Sequence, residues 1–369
     1  MVAYTSPIYV IIVLIGYVVL HHIYKPILQC RASLLREKQV LGCVLVLVLC
    51  LFSVQDSDYF HYKDYLISLS QGVKVESLED VYLWIAKIVR YDYFLFRFII
   101  WGGALFLFIK TCDRLECNRG LVLFFFVSMY LTKFSYSRAS LAMAVGLYGF
   151  SLLINPMKVK VYSYILGIAI ILVSSFFHKS AITFLPIYFL SLFPWGRKSY
   201  IVFLLSLPII YILLSTKGIV YLFSMDNESV FDYNTAISYL SKEQVSMGIA
   251  AKVQRILERI PYYIMLLIIM KDIFSQSKKI DYQTRTLMNF SLIVILISSL
   301  FLFDFGGNNT TIIYYRFLYY SILPLSILMS KLYESGVYNR TIIFTQSIGY
   351  VSVIYAILYS AYNMYILIN

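Results

Sequence analysis

The stretch Val161–Trp195 reads VYSYILGIAIILVSSFFHKSAITFLPIYFLSLFPW, and its only formal charge is on Lys179. A transmembrane helix needs roughly 20 mostly apolar residues. This run holds two short helices of that kind back to back, interrupted only by His178 and Lys179. The spacing predicts one span over 161–177 and another over 180–195. Lipid offers the backbone no hydrogen bonds, so a segment this apolar satisfies its own amides as a helix.

The same pattern recurs along the chain. Of its 369 residues, 60% are hydrophobic and 14% charged, with a mean hydropathy of +0.77. A soluble domain carries about 25% charged residues. Apolar runs predict further spans near 6–23, 39–54, 93–109, 120–134, 138–154, 199–215, 257–273, 286–303, 313–331 and 341–366. The expected fold is an all-α polytopic integral membrane protein of about 12 transmembrane helices, a single membrane domain over 1–369. Residues 7–20 lack the basic flank and small-residue cleavage site of a secretory signal, so they read as the first span. Two long connections, 55–92 and 216–256, stand apart from the short ones.

Charge orients the helices. The alternating connections 24–38, 110–119, 155–160, 196–199, 271–285 and 331–340 hold 17 of the 31 basic residues and 6 of the 19 acidic ones, a net +11 of the chain's +12. The positive-inside rule makes that face cytoplasmic. Both long connections then lie outside, as do both termini. The basic balance is thus a topology signal, and it argues against a nucleic-acid partner. Cys30, Cys112 and Cys117 fall in the basic connections, and Cys43 and Cys50 in the second span, so no disulfide is expected. The 35 tyrosines suit headgroup-level belts and sugar-facing surfaces.

Ionisable residues at span ends point to chemistry, because a charge in lipid costs at least about 2.5 kcal/mol. Arg138 opens the fifth span, followed by Ala142, Gly146 and Gly149, small residues that permit close helix packing. His178 sits at the break quoted above. Arg255 and Arg259 flank the start of the ninth span, and Arg316 lies just inside the eleventh. Alone, each arginine reads as a side chain snorkelling to lipid phosphates, and the histidine as structural. Gathered on one face beneath two acidic connections, they suit a phosphate or diphosphate that arginine grips bidentately. A histidine or carboxylate beside them can take a proton. There is no Gly-rich phosphate loop, His-Glu-x-x-His, Cys-x-x-Cys or Gly-x-Ser-x-Gly, which disfavours a cytosolic nucleotide enzyme. No metal cage is visible, and none is expected.

Several segments resemble the EpsG-like branch of the Wzy polymerases, which join repeat units of bacterial O-antigen or exopolysaccharide. The first long connection has an acidic-aromatic opening, Asp56-Ser57-Asp58-Tyr59, and continues as Glu79-Asp80-Val81-Tyr82-Leu83-Trp84, where the family often has Glu-Pro-Gly-Tyr. Ser137-Arg138-Ala139-Ser140-Leu141-Ala142 is similar to its Arg-Gln-x-x-Ala, with Ala139 in the usual Gln position. Phe176-Phe177-His178-Lys179-Ser180-Ala181-Ile182 is similar to its Phe-His-x-Ser-Ala-Ile and is the most specific match. Tyr315-Arg316-Phe317-Leu318-Tyr319-Tyr320 resembles its late arginine-aromatic helix. The order and spacing agree over about residues 55–330.

This resemblance implies a GT-C-like polymerase or ligase architecture in the bacterial plasma membrane, with the active face extracytoplasmic. It implies oligosaccharides on undecaprenyl diphosphate as substrates, surrounding membrane lipids, a chain-length regulator as partner, and no cofactor. His178, Arg138, Asp58 and Glu79 become the catalytic candidates, and Arg316, Arg255 and Arg259 the diphosphate-binding ones. A flippase for the same lipid-linked unit, an O-antigen ligase, a polysaccharide acyltransferase and a non-enzymatic assembly subunit remain as alternatives.

Overall fold

The computed structural model describes residues 57–73, 79–130, 137–156, 159–214, 249–275, 280–300, 317–336, 338–349, 351–352 and 355. The expected spans over 6–23 and 39–54 lie outside the described residues, as does 216–248 of the second long connection. Among the described residues every regular element is helical.

The first long connection carries helices α1 (Ser57–Ser70) and α2 (Asp80–Ile88). Its polar composition suggests a solvated loop, yet Tyr62, Leu66, Tyr82, Ile85 and Ala86 are buried. These apolar side chains recur at helical spacing between the acids and dock the segment on the bundle. Helices α3 (Tyr93–Arg114), α4 (Arg119–Tyr130), α5 (Ser137–Ile154) and α6 (Lys160–Phe177) follow. A 3-10 turn over Lys179–Phe184 leads into the short α7 (Leu185–Leu192), and α8 spans Arg197–Leu214. After the second long connection come α9 (Ile249–Ser275) and α10 (Tyr282–Leu300). A 3-10 turn over Tyr319–Ser321 opens α11 (Ile322–Glu334), and α12 covers 339–349.

Helices α3, α6 and α10 are each long and apolar enough to cross a membrane. They differ in place. Two thirds of the apolar window of α10 is buried (67%) against 22% of that of α6, so α10 is central and α6 faces outward. The expected spans within the described residues meet helices, and α3 and α9 run past the predicted ends, but the span expected over 180–195 is instead a 3-10 turn and the eight-residue α7, shorter than a membrane crossing needs. The longer α3 takes Cys112 out of its expected loop and buries it in the helix.

Among the described residues the α5–α6 hairpin packs most closely. A Cβ built on Gly149 would stand 2.8 Å from the Gly167 carbonyl oxygen, and one on Gly167 2.7 Å from Leu153 Cδ2. Only glycine lets the two backbones approach so far. Helix α3 runs parallel to α5: Gly103 lies near Leu141, while at the far end Asn155 Nδ2 donates to the Arg114 carbonyl at 2.8 Å. Helix α7 is held to α10 by Asn289, whose Nδ2 donates to the carbonyls of Ser191 (3.1 Å) and Phe193 (3.2 Å). Phe150, Tyr188, Phe184 and Phe290 fill the space between α5, α7 and α10.

Candidate functional site

Helix α6 stops at Phe177 because its next residue leaves the helical region. His178 has φ −160° and ψ 119°, extended backbone that ends one helix and caps the 3-10 turn after it. The chain is tied on both sides of the break. The His178 amide donates to the Ser174 carbonyl at 3.3 Å, and its own carbonyl accepts from Ala181 at 2.8 Å. A histidine fixed in a single extended residue between two helical segments has little backbone freedom, which suits a group that must hold a proton-transfer geometry.

Helix α2 brings a carboxylate to it. The Tyr82 ring is buried between Phe96 of α3 (6.2 Å) and Phe177 at the end of α6 (6.3 Å, edge-on). Glu79, at the N-cap three residues earlier, does not cap its own helix with its side chain. Its Oε1 instead lies 3.7 Å from His178 Nδ1. That exceeds a hydrogen bond but falls within ion-pair range. His178 Nδ1 is shielded from solvent without a hydrogen bond in this state, while the ring remains a third exposed.

The turn after His178 is clamped to the start of α11. Ser180 Oγ and the Tyr320 hydroxyl lie 2.9 Å apart. Phe184 is stacked between Phe317 (4.0 Å) and Tyr320 (3.8 Å). The segment predicted around Arg316 therefore meets the His178 segment through Phe317 and Tyr320. Arg316 itself lies outside the described residues.

Arg138 reaches the same level by helix register. Gly149 faces Gly167 across the hairpin. Eleven residues back along α5 is Arg138, and eleven forward along α6 is His178. Arg255 and Arg259 lie in the first half of α9, whose Tyr263 hydroxyl accepts from Ser299 near the end of α10 at 3.3 Å. Because α10 passes Asn289 to Phe290 from the α7 end towards Phe184, its last turn and the start of α9 share the His178 end of the bundle. Asp58 lies in the first turn of α1. The described side chains thus join His178 with Glu79, while Arg138 and Arg259 are placed at that end by their helices.

One residue was missed by reading span ends only. Arg97 lies inside α3, one turn from its start, and is 4% exposed. Its guanidinium sits 4.2 Å from the Trp101 ring centroid and 5.5 Å from that of Tyr93. Since α3 runs parallel to α5, Arg97 belongs to the same end as Arg138. Its signal in the sequence is a charge within an apolar helix, the position where one costs most. Among the described residues no three His, Cys, Asp or Glu side chains converge as metal ligands would. Burial pushes the Cys117 thiol, in the connection after α3, up to about 12, so it stays protonated and is no nucleophile.

The motifs that meet at His178, Glu79 and Tyr320 lie far apart in the chain, and the comparison with known families covers all of them. The family model described as "EpsG family" matches residues 39–368. The chain belongs to the EpsG family. This is a Wzy-like polymerase family, and membership supports an exopolysaccharide or O-antigen polymerase-like role in the broad sense. The match covers all three segments from which the His178 site is built. No curated protein and no solved structure gives a significant match to the chain, so the EpsG assignment rests on the family alone.

Proposed function

We propose that this EpsG-family protein is a glycosyltransferase that joins lipid-diphosphate-linked oligosaccharide repeat units at the extracytoplasmic face of the bacterial plasma membrane. The observation that carries the reading is the pairing of His178 with Glu79 at one end of the bundle, level with Arg138.

The acceptor is a sugar hydroxyl of the incoming repeat unit, and the donor is the growing chain on undecaprenyl diphosphate. Glu79 favours the His178 tautomer with its proton on Nδ1, which leaves Nε2 to accept a proton from the acceptor. The hydroxyl oxygen bonds to the anomeric carbon of the donor as the bond from that carbon to the diphosphate oxygen breaks. The electron pair leaves with the diphosphate, whose growing charge is met by Arg138, Arg316 and one of Arg255 or Arg259. Departure of the lipid diphosphate drives the step, so no nucleotide sugar enters it. Catalysis by a positioned base contributes typically 10²–10⁴-fold.

The test is the banding of surface polysaccharide in cells carrying Arg138→Ala or His178→Ala, with the protein still present in the membrane. Core bearing a single repeat unit supports a polymerase. Loss of every unit points to a flippase or ligase, and unchanged length with missing acyl groups to an acyltransferase. Wild-type chain length in both variants overturns the site.

A further inference from the structure

At the opposite end of the bundle, an open groove of about 450 Å³ lies between the end of α7 and the first half of α8. Its walls are Leu190, Trp195, Val202 and Phe203, with Ser206 at one end and Lys198 and Ser199 at the other. The α8 residues recur every three or four positions, so they form one stripe of that helix. From Lys198 to Ser206 the stripe runs about 12 Å along the axis.

Polarity along this stripe is graded. Ser206 Oγ donates to the Phe203 carbonyl at 2.7 Å, and Trp195 Nε1 to the Leu190 carbonyl at 2.8 Å, so neither adds an unmet polar group to the walls. The Trp195 ring is braced by Tyr200 and Phe203, each at 5.2 Å between centroids. Among the described residues no carboxylate lines the groove. Arg197 and Lys198 open α8, and 197–214 contains no acid. The positive end of the helix dipole adds to their charge. Val202, at 66% exposure, keeps the apolar part open to the surroundings of the bundle.

We propose that this groove binds one anionic phospholipid of the leaflet on the basic face, with its phosphate at Lys198 and Ser199 and an acyl chain along Leu190, Val202 and Phe203. A cation at the head of an apolar groove, beside a tryptophan, matches the charge order of such a lipid. A free phosphate would leave the apolar stripe unused. A zwitterionic lipid has the phosphate but brings its own cation beside the basic residues, which offsets the attraction.

The full chain, purified in detergent, is incubated with phosphatidylglycerol or with phosphatidylcholine of the same acyl chains, and retained lipid is counted by native mass spectrometry. The expected preference for phosphatidylglycerol is about fivefold, the effect of one basic residue near the surface. Lys198→Ala lowers the preference, and Arg197 and the helix dipole keep what remains of it. Lys271→Ala, at an exposed lysine of α9 at the same end, leaves the preference intact. Val202→Trp, which keeps the lysine but fills the slot, lowers retention of both lipids. Equal retention of the two by the unaltered protein overturns the proposal, as does an undiminished preference in Lys198→Ala or an equal loss in Lys271→Ala. The readout is bound lipid, so it stands or falls independently of the polymerase reading.

Discussion

Glu79 Oε1 lies 3.7 Å from His178 Nδ1, although 99 residues separate the two in the chain. The contact exists because Tyr82 wedges between Phe96 and Phe177 and sets the start of α2 against the end of α6. If His178 is the base and Glu79 orients it, the two variants differ in depth. His178→Ala should lose about 10²–10⁴-fold of polymerisation rate. Glu79→Gln, which keeps a partner for the ring but not its charge, should lose about 10–100-fold, as removal of an orienting partner does at metal-bound histidines. Chain extension from purified lipid-linked units measures both. Equal losses in the two would make Glu79 the base.

The hairpin beneath the site should be intolerant of side chains. Gly149→Ala places a Cβ 2.8 Å from the Gly167 carbonyl, a backbone atom that cannot swing aside. Overpacking of this kind costs typically 1–3 kcal/mol. Gly102→Ala is the control, since no atom lies within 4 Å of a Cβ at that position. Thermal unfolding in detergent should show a lower midpoint for Gly149→Ala and little change for Gly102→Ala.

How much of this was legible in the sequence follows from the physics of each element. Hydropathy marks helices because lipid forces one backbone solution, so α3 to α6 and α8 to α10 coincide with the apolar runs, while the run over 180–195 divides into a 3-10 turn and the short α7. The break at His178 was visible for the same reason. Helices α1 and α2 were not, because their acids disguise a stripe of buried apolar residues, Tyr62, Leu66, Tyr82 and Ile85. The reading of span ends brings His178 forward, and the family resemblance adds Glu79, as separate candidates. Their pairing depends on tertiary packing by Tyr82, which no local pattern encodes. Arg97 was overlooked because attention went to span ends, although a charge inside an apolar helix is the louder signal.

The Ser180–Tyr320 contact joins the His178 turn to the segment that follows Arg316. Tyr320→Phe keeps the stack on Phe184 and removes only the hydroxyl. A buried hydrogen bond contributes about 0.5–1.5 kcal/mol. Tyr320→Phe and Ser180→Ala should each lower stability by about that amount, and the double variant by little more than either alone. Thermal denaturation of the four proteins closes the cycle. Simple additivity would mean that the two hydroxyls do not interact.

Arg97 is the most buried basic side chain at the His178 end among the described residues. Its guanidinium lies over Trp101, and arginine stacks on an aromatic face better than the compact ammonium of lysine does. A desolvated cation–π contact is worth about 2 kcal/mol. Arg97→Lys should therefore lose stability despite keeping the charge, and Trp101→Leu should lose a similar amount. If Arg97 also helps hold the diphosphate, Arg97→Lys retains more polymerisation than Arg97→Gln, because the charge survives while the stack does not. If its role is packing alone, Lys and Gln lower stability alike and leave the rate per folded molecule unchanged. Rate measured against the amount of folded protein in the membrane separates the two outcomes.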